Sequence, residues 1–155
     1  MKKITPQYIA GFFDGEGCIS ANEWGAIFII VVNTDERVIR AIRDYFNFGR
    51  VKRESPKQEN HRTRYIWQVS SWQAYEVLEK IKPYLIIKKE QAEIAMRLQE
   101  MQRENHTSAY KPLTSFEIQQ RKALIEELKH WKRKFELQLK FSFESIEKLP
   151  QLELF

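Results

Sequence analysis

The spacing of apolar residues changes several times along this chain, and each change predicts a different kind of element. Residues 26–33 read Ala-Ile-Phe-Ile-Ile-Val-Val-Asn, a β-branched and aromatic run that is typical of a strand. Residues 38–46 instead place apolar side chains at helical spacing. The pattern predicts helix, hairpin, helix, hairpin and three further helices, over residues 6–14, 18–24, 26–33, 35–48, 50–55, 62–71, 72–82, 88–103 and 114–140.

Helix start signals support these bounds. Thr5 is a candidate N-cap with Pro6 at the first helical position. Thr114 and Glu117 form a capping box, with the acid three residues after the hydroxyl. Residues 141–155 are too apolar for a free tail, so we expect them to dock on the body as an edge strand or a short helix.

The second hairpin alternates in a way that separates two faces. One face carries Val51, Tyr65, Trp67 and Val69, and is expected to pack on helices. The other face resembles a two-stranded ribbon that reads base edges in the major groove, although a solvated sheet face is the simpler interpretation. Its residues are Arg50, Lys52, Glu54, Arg62, Arg64, Ile66, Gln68 and Ser70.

Composition narrows the class of protein. The 155 residues carry a formal net charge of +5, and 43% of them are hydrophobic, which fits one soluble domain with a modest preference for anionic partners. Cys18 is the single cysteine, so no internal disulfide can form and a reducing compartment fits. Residues 1–20 lack the uninterrupted apolar region of a signal peptide, and no run approaches the roughly 20 apolar residues of a membrane span.

The first predicted helix ends in an unusual acid–Gly–acid–Gly step at residues 14–17. Ala10 and Gly11 in the middle of this helix allow another backbone to approach closely. A carboxylate on Glu16 would sit at a helix C-terminus, where the partial charge is already negative, and a divalent cation would offset that. The alternative is an ordinary apolar helix that stops at Asp and Gly.

Residues 9–17 resemble the LAGLIDADG motif of homing endonucleases. Ala10, Gly11, Asp14 and Gly17 match its letters, Gly15 stands for Ala and Glu16 for the second Asp. The resemblance implies an α+β fold with an α-β-β-α-β-β-α core, a curved antiparallel four-stranded DNA-binding sheet and C-terminal helices. We therefore expect one endonuclease domain over residues 1–155, with its core at 5–102 and a helical extension at 103–155.

The resemblance also implies a function and its residues. Single-motif members are homodimers that make a staggered double-strand break in a long pseudo-palindromic DNA site with Mg²⁺, with Mn²⁺ as a substitute and Ca²⁺ supporting binding without cleavage. The metal ligands would be Glu16 and Gly15. The other catalytic residues would be Asn33, Arg37 and Lys88, and the dimer contact would involve Ala10, Gly11 and Asp14.

The sequence also allows further DNA contacts and two alternative functions. Asn22 joins the expected DNA contacts, and the apolar run 26–33 is either buried on both faces or buried on one face and set against DNA bases on the other. A descendant that no longer cleaves, such as an intron maturase that binds intron RNA or a transcriptional regulator, is one alternative. A module whose motif helix only dimerises is another. The resemblance implies a bacterial or archaeal cytoplasm, a chloroplast or a mitochondrion, and no membrane partner.

Overall fold

The computed structural model describes residues 4–55, 62–106 and 113–147. The fold is α+β, as predicted. Its elements are α1 (Pro6–Glu16), β1 (Gly17–Ala21), β2 (Ile27–Asn33), α2 (Glu36–Phe46), β3 (Arg50–Glu54), β4 (Arg64–Ser70), α3 (Ser71–Ile81), a 3-10 turn (Lys82–Tyr84), α4 (Lys89–His106) and α5 (Ser115–Glu147).

Three helices run past their predicted ends. Helix α1 continues through Gly15 to Glu16, and the amide of Gly17 then donates to the carbonyl of Phe13. Helix α4 reaches His106, three residues past its predicted end at residue 103. Helix α5 reaches Glu147, so residues 141–147 extend the long helix and form neither an edge strand nor a separate short helix. The rest of the predicted docking segment, residues 148–155, lies outside the described residues.

The four strands form one antiparallel sheet in the order β1-β2-β4-β3. Both predicted hairpins are present, and pairing of β2 with β4 joins them. Val31 of β2 faces Trp67 of β4, and Trp67 faces Val51 of β3. The predicted apolar face of the second hairpin is therefore confirmed, and it continues across the first hairpin.

That apolar face is covered by helices. The side chains of Ile19, Ile29 and Trp67 are fully buried there, and helices α1 to α4 contact the strands from this side. Helix α5 packs on α4 and β1, with its own buried residues at Leu124, Ile125 and Leu128. None of the helices in the described ranges is long and apolar enough to cross a membrane.

Gly49 lies directly before β3 and against the side chain of Trp67. Its φ of +93° belongs to the left-handed region, which a residue with a Cβ atom rarely adopts. A Cβ atom at this position would also overlap the indole nitrogen of Trp67, which donates to the carbonyl of Phe48 at 3.0 Å. The indole is held from its other side by the stacked ring of Phe46, 5.5 Å away between centroids. The entry to β3 therefore requires glycine.

Replacing Gly49 by Ala should lower the free energy of unfolding by about 2–4 kcal/mol, because backbone strain and overpacking against Trp67 add together. Urea titration at fixed protein concentration measures the change. Asn47→Gly is the matched control, since Asn47 already adopts a left-handed conformation and glycine is the other residue favoured there. The control should differ from the unmodified chain by less than about 0.5 kcal/mol, and equal stability of both variants would contradict the packing argument.

Candidate active site

The C-terminal end of α1 is where helix, sheet and loop meet. Ile9, Phe13 and Asp14 are buried on one side of α1, whereas Gly15 and Glu16 are exposed. Gly17 follows at once, and a Cβ atom there would overlap the Phe13 ring. This close contact lets the chain enter β1 directly after the helix, so Glu16 is fixed at the junction.

Asp14 joins the end of α1 to a distant part of the chain. Its Oδ2 accepts from the amide of Ile86 at 2.8 Å, and its Oδ1 accepts from the amide of Lys88 at 3.0 Å. The side chain is only 6% exposed. Because α4 begins at Lys89, this carboxylate lies at the positive end of that helix, where negative charge is favourable. Asp14 therefore holds the residues just before α4 against α1.

Lys88 is brought back to the motif by the same contact. Its Nζ donates to the backbone carbonyl of Asp14, and the side chain is 6% exposed. A cation at the C-terminal carbonyls of α1 complements the dipole of that helix. Burial lowers the pKa of Lys88, and electrostatic attraction to Asp14, Cys18 and Glu16 opposes that shift. The motif acid and the predicted catalytic lysine thus act on each other electrostatically.

The carboxylate of Glu16, unlike that of Asp14, is available to bind a ligand. Its carboxylate is exposed, and it makes no hydrogen bond or ion pair with any described residue. Across residues 4–55, 62–106 and 113–147, no group of three or more His, Cys, Asp or Glu side chains could hold a metal ion. One subunit therefore offers a single free carboxylate beside the helix-end carbonyls, a donor type that suits a hard cation but is not a complete ligand set.

Asn33 and Arg37 lie on the surface next to this end of the sheet. Gly17 pairs with Val31, so Asn33, two residues further along β2, is at the same end as Glu16. The Oδ1 of Asn33 accepts from the amide of Asp35 at 2.9 Å, which closes the turn into α2. Arg37 pairs with Asp35 at 2.6 Å and is 85% exposed. The guanidinium of Arg37 lowers the pKa of Asp35 to about 2.

The structure corrects two of the expected dimer contacts. Ala10 is fully buried in the core of its own subunit, so its side chain is not part of an outer surface. Both carboxylate oxygens of Asp14 are used within the chain, as described above, so its role is intramolecular and not at a dimer axis. Gly11 is exposed, and a Cβ atom there would meet nothing within 4 Å.

The sheet face opposite the helices carries the residues that were expected to contact DNA. Register pairs Arg50 with Gln68, Lys52 with Ile66, and Glu54 with Arg64, so each pair shares this face. None of its side chains is buried. We call it the open face, and it consists of Cys18, Ser20, Phe28, Ile30, Val32, Arg50, Lys52, Glu54, Arg64, Ile66, Gln68 and Ser70.

Two expected DNA contacts take other positions. Asn22 forms the β1–β2 turn, because its Oδ1 accepts from the amides of Trp24 at 3.0 Å and Ala26 at 2.9 Å. Arg62 is exposed but precedes β4, which begins at Arg64. Arg64 itself makes an exposed ion pair with Glu54 at 2.6 Å, and such pairs contribute little to stability.

Sequence reasoning missed one pair of exposed apolar residues: Ile86 and Ile87 are 85% and 44% exposed beside the end of α1. Phe28, Ile30 and Val32 occupy alternate, partly exposed positions of β2 on the open face, so the run 26–33 is buried on one face only, which is one of the two possibilities that the sequence left open. The sequence of β2 does not show this alternation, because the residues on both faces of the strand are apolar. The pairing of β2 with the second hairpin is what distinguishes the two faces.

Replacing Lys88 by Met tests the burial of the amine. The folded-state pKa is lowered from 10.5, so between the lowered value and 10.5 the unfolded chain binds more protons than the folded chain. The free energy of unfolding of the unmodified chain should therefore rise, relative to Lys88→Met, as pH increases through that window. Urea titrations at successive pH values measure the difference. Lys89→Met removes an exposed neighbouring charge and serves as control; a flat difference for Lys88→Met would contradict the assignment.

Several solved structures have the same fold as this chain. The chain is similar to the homing endonuclease I-CvuI, crystallised with its target in the presence of Ca, with a TM-score of 0.62, 18% identity, and 81% of this chain covering 80% of that one. The homing endonuclease I-LtrWI bound to target DNA gives 0.58 at 18% identity, and the meganuclease I-SmaMI bound to uncleavable DNA gives 0.56 at 19%. The matched regions, 82% and 78% of this chain, span only 45% and 43% of those two chains.

These likenesses show the fold alone, because identity is below one fifth in each case. A comparison with curated protein sequences found no match to the chain. The family model described as LAGLIDADG endonuclease matches residues 9–96, which is more than half of the chain and contains the motif helix, both hairpins and Lys88. The chain therefore belongs to the LAGLIDADG endonuclease family.

Proposed function

We propose that the protein is a homodimeric, site-specific DNA endonuclease that makes a staggered double-strand break in a long pseudo-palindromic site. The observation that carries this proposal is the junction of α1 and β1, where the Glu16 carboxylate is exposed and the buried Lys88 amine bonds the carbonyl of Asp14, two residues before it. A purely structural motif helix has no use for an unpaired acid fixed next to a desolvated cation.

Phosphodiester hydrolysis develops negative charge on the phosphate and on the leaving oxygen. Lys88 is held rigidly by its bond to the Asp14 carbonyl, so its amine can stabilise that charge without reorganising. Mg²⁺, with Mn²⁺ as a substitute, would be held by the Glu16 carboxylate and the Gly15 carbonyl, and when bound supplies charge stabilisation and a more acidic water. Ca²⁺ is proposed to support binding without cleavage.

We propose a homodimer because one subunit has one copy of the motif acid. One chain has one Glu16, whereas a double-strand break needs an acid for each strand. Tyr8, Gly11 and Gly15 recur at helical spacing along the exposed face of α1, and neither glycine has a neighbouring side chain within 4 Å of a Cβ position. Ile86 adds apolar surface beside the end of this helix. Two copies packed through α1 would bring both Glu16 side chains to one axis.

Duplex DNA is the partner that suits the open face. Arg50, Lys52 and Arg64 are exposed along the β3 and β4 side of it, and Gln68 lies between the basic and apolar columns. A β-ribbon of this composition can enter the major groove, where Arg, Lys and Gln meet base edges. Binding of this kind should weaken steeply as salt rises.

A second function is favoured by one observation. Asn33 and Arg37, two of the four expected catalytic residues, are engaged with the α2 turn and with Asp35. A chain that binds nucleic acid without cutting it, as an intron maturase or a transcriptional regulator, would tolerate that arrangement. We rank it below the nuclease because Glu16 and Lys88 remain adjacent. We propose a bacterial or archaeal cytoplasm, a chloroplast or a mitochondrion as its location, as the family resemblance implies.

A paired selection tests the proposed function. The purified protein is incubated with a randomised library of long pseudo-palindromic duplexes, in Mg²⁺ and in parallel in Ca²⁺, and cut ends or bound duplexes are sequenced. We expect one related set of sites to be cut in Mg²⁺ and bound in Ca²⁺. Glu16→Gln should bind the same set but lower the cleavage rate by at least about 100-fold, since it removes the metal-binding charge.

The control for this test is Glu23→Gln, a change of the same kind at an exposed acid in the β1–β2 turn. It should cut at the unmodified rate. Sites bound in Ca²⁺ but not cut in Mg²⁺ would favour the maturase or regulator function. Equal cleavage by Glu16→Gln would overturn the metal assignment.

Gly11→Leu should convert the dimer to a monomer. A leucine at this exposed helical position meets nothing in its own subunit, so the fold is retained, but it would separate two helices that pack through their glycines. Light scattering coupled to size exclusion measures the mass. Gln119→Leu, at an exposed position of α5, is the control and should remain dimeric. A Gly11→Leu protein that is still a dimer would refute packing through α1.

A further inference from the structure

Strand β2 presents apolar side chains to the outside of the sheet. Its residues alternate between buried and partly exposed, so Phe28, Ile30 and Val32 lie on the open face, while Ile27, Ile29 and Val31 enter the core. The first of the two explanations for this apolar run, burial on both faces, is therefore wrong. Contiguous apolar side chains on the solvent side of a sheet often mark a surface that binds another molecule.

Ile66 of β4 extends this surface. It pairs directly with Val32, and directly paired residues on one face have side chains in contact range. None of these four side chains is among the described apolar residues that pack against the core. We call Phe28, Ile30, Val32 and Ile66 the apolar patch.

The cross-strand rows run from apolar to basic. One row is Ile30, Gln68 and Arg50, and the next is Val32, Ile66 and Lys52. The positive edge of the patch is complementary to a polyanion, which argues against a neutral protein surface or a second copy of this basic chain as its occupant. An occupant must place negative charge against β3 and apolar groups against β2.

The major-groove edge of a thymine–adenine pair has this combination. Thymine presents an apolar C5-methyl group, and adenine beside it presents the donor and acceptor that an amide such as Gln can bind in bidentate fashion. The apolar patch extends along β2 from Phe28 to Val32, about 13 Å, which corresponds to about four base-pair steps. Side chains that are poor hydrogen-bonding partners can therefore still read sequence.

We propose that the apolar patch reads thymine methyl groups, so that each half-site requires thymine at several neighbouring positions. Ile30 with Gln68 reads one thymine–adenine pair, and Val32 with Ile66 reads the thymine of a pair about two base-pair steps away. The proposal rests on the proposed function, because it names the bases that the open face selects from duplex DNA. It assigns Phe28, Ile30, Val32 and Ile66 as specificity-determining residues.

Deoxyuridine tests the proposal, because it removes only the methyl group. Duplexes recovered by binding in Ca²⁺ are resynthesised with each thymine replaced in turn by deoxyuridine, and the dissociation constant of the unmodified protein is measured for each. We expect affinity to fall about fourfold per lost methyl contact, at two to four neighbouring positions of each half-site. Deoxyuridine at other positions should have no effect.

Two variants locate the contacts. Ile30→Ala and Ile66→Ala should each lose the distinction between thymine and deoxyuridine at one position and keep it at the others. Lys52→Ala, in the same row as Ile66, is the matched control, since it should weaken binding to both duplexes equally. The comparison made with the unmodified protein does not depend on how these variants fold.

The outcomes separate this inference from the proposed function. Salt-sensitive binding to a selected site with equal affinity for thymine and deoxyuridine at every position would overturn the inference and leave DNA recognition intact. A distinction that survives in both Ile30→Ala and Ile66→Ala would overturn the assignment of residues. Failure to enrich any duplex, even at low salt, would overturn the proposed function and this inference together.

Discussion

The buried carboxylate of Asp14 is the contact on which the site depends. By accepting hydrogen bonds from the amides of Ile86 and Lys88, it fixes the start of α4 against the end of α1. Lys88 then returns its amine to the carbonyl of Asp14, so two chain segments 74 residues apart in sequence are locked at one point. Both helix ends gain a charge of the sign that their dipoles favour. The exposed acid, Glu16, is the last residue of α1 and lies two residues further on, and Gly17 then lets the chain enter β1 against the ring of Phe13.

The two faces of the sheet next to this contact differ in chemistry. The helices cover one face of the sheet. The open face carries basic side chains on β3, the amide of Gln68 on β4 and apolar side chains on β2. Charge alone would bind any DNA backbone, and would do so without regard to sequence. Under the proposal made above, the apolar column would add discrimination between bases, because a methyl group is present on thymine and absent from the other three. Affinity and selectivity are thus assigned to different strands of the same face.

Much of this was predictable from local patterns. The β-branched run at residues 26–33, the alternation of the second hairpin and the capping residues gave the elements and the faces, because those signals depend only on neighbouring residues. The motif gave Glu16 and the downstream pattern gave Lys88. The role of Asp14 was misjudged, since its partners are distant in sequence and no local pattern reveals them. Ala10 was misjudged for a related reason: a small residue on a helix fits a neighbour within the subunit as well as one outside it.

The proposed function depends on each Glu16 of a dimer serving one DNA strand, because the described residues of one subunit include no group of three or more His, Cys, Asp or Glu side chains that could hold a metal ion. The most direct test uses mixed dimers, in which one subunit carries Glu16→Gln and a different affinity tag from its unmodified partner. Supercoiled plasmid bearing the selected site is incubated with purified mixed dimers in Mg²⁺. The account predicts nicked circles as the end product, cut in one strand only. Linear plasmid formed at the rate of the unmodified dimer would contradict it.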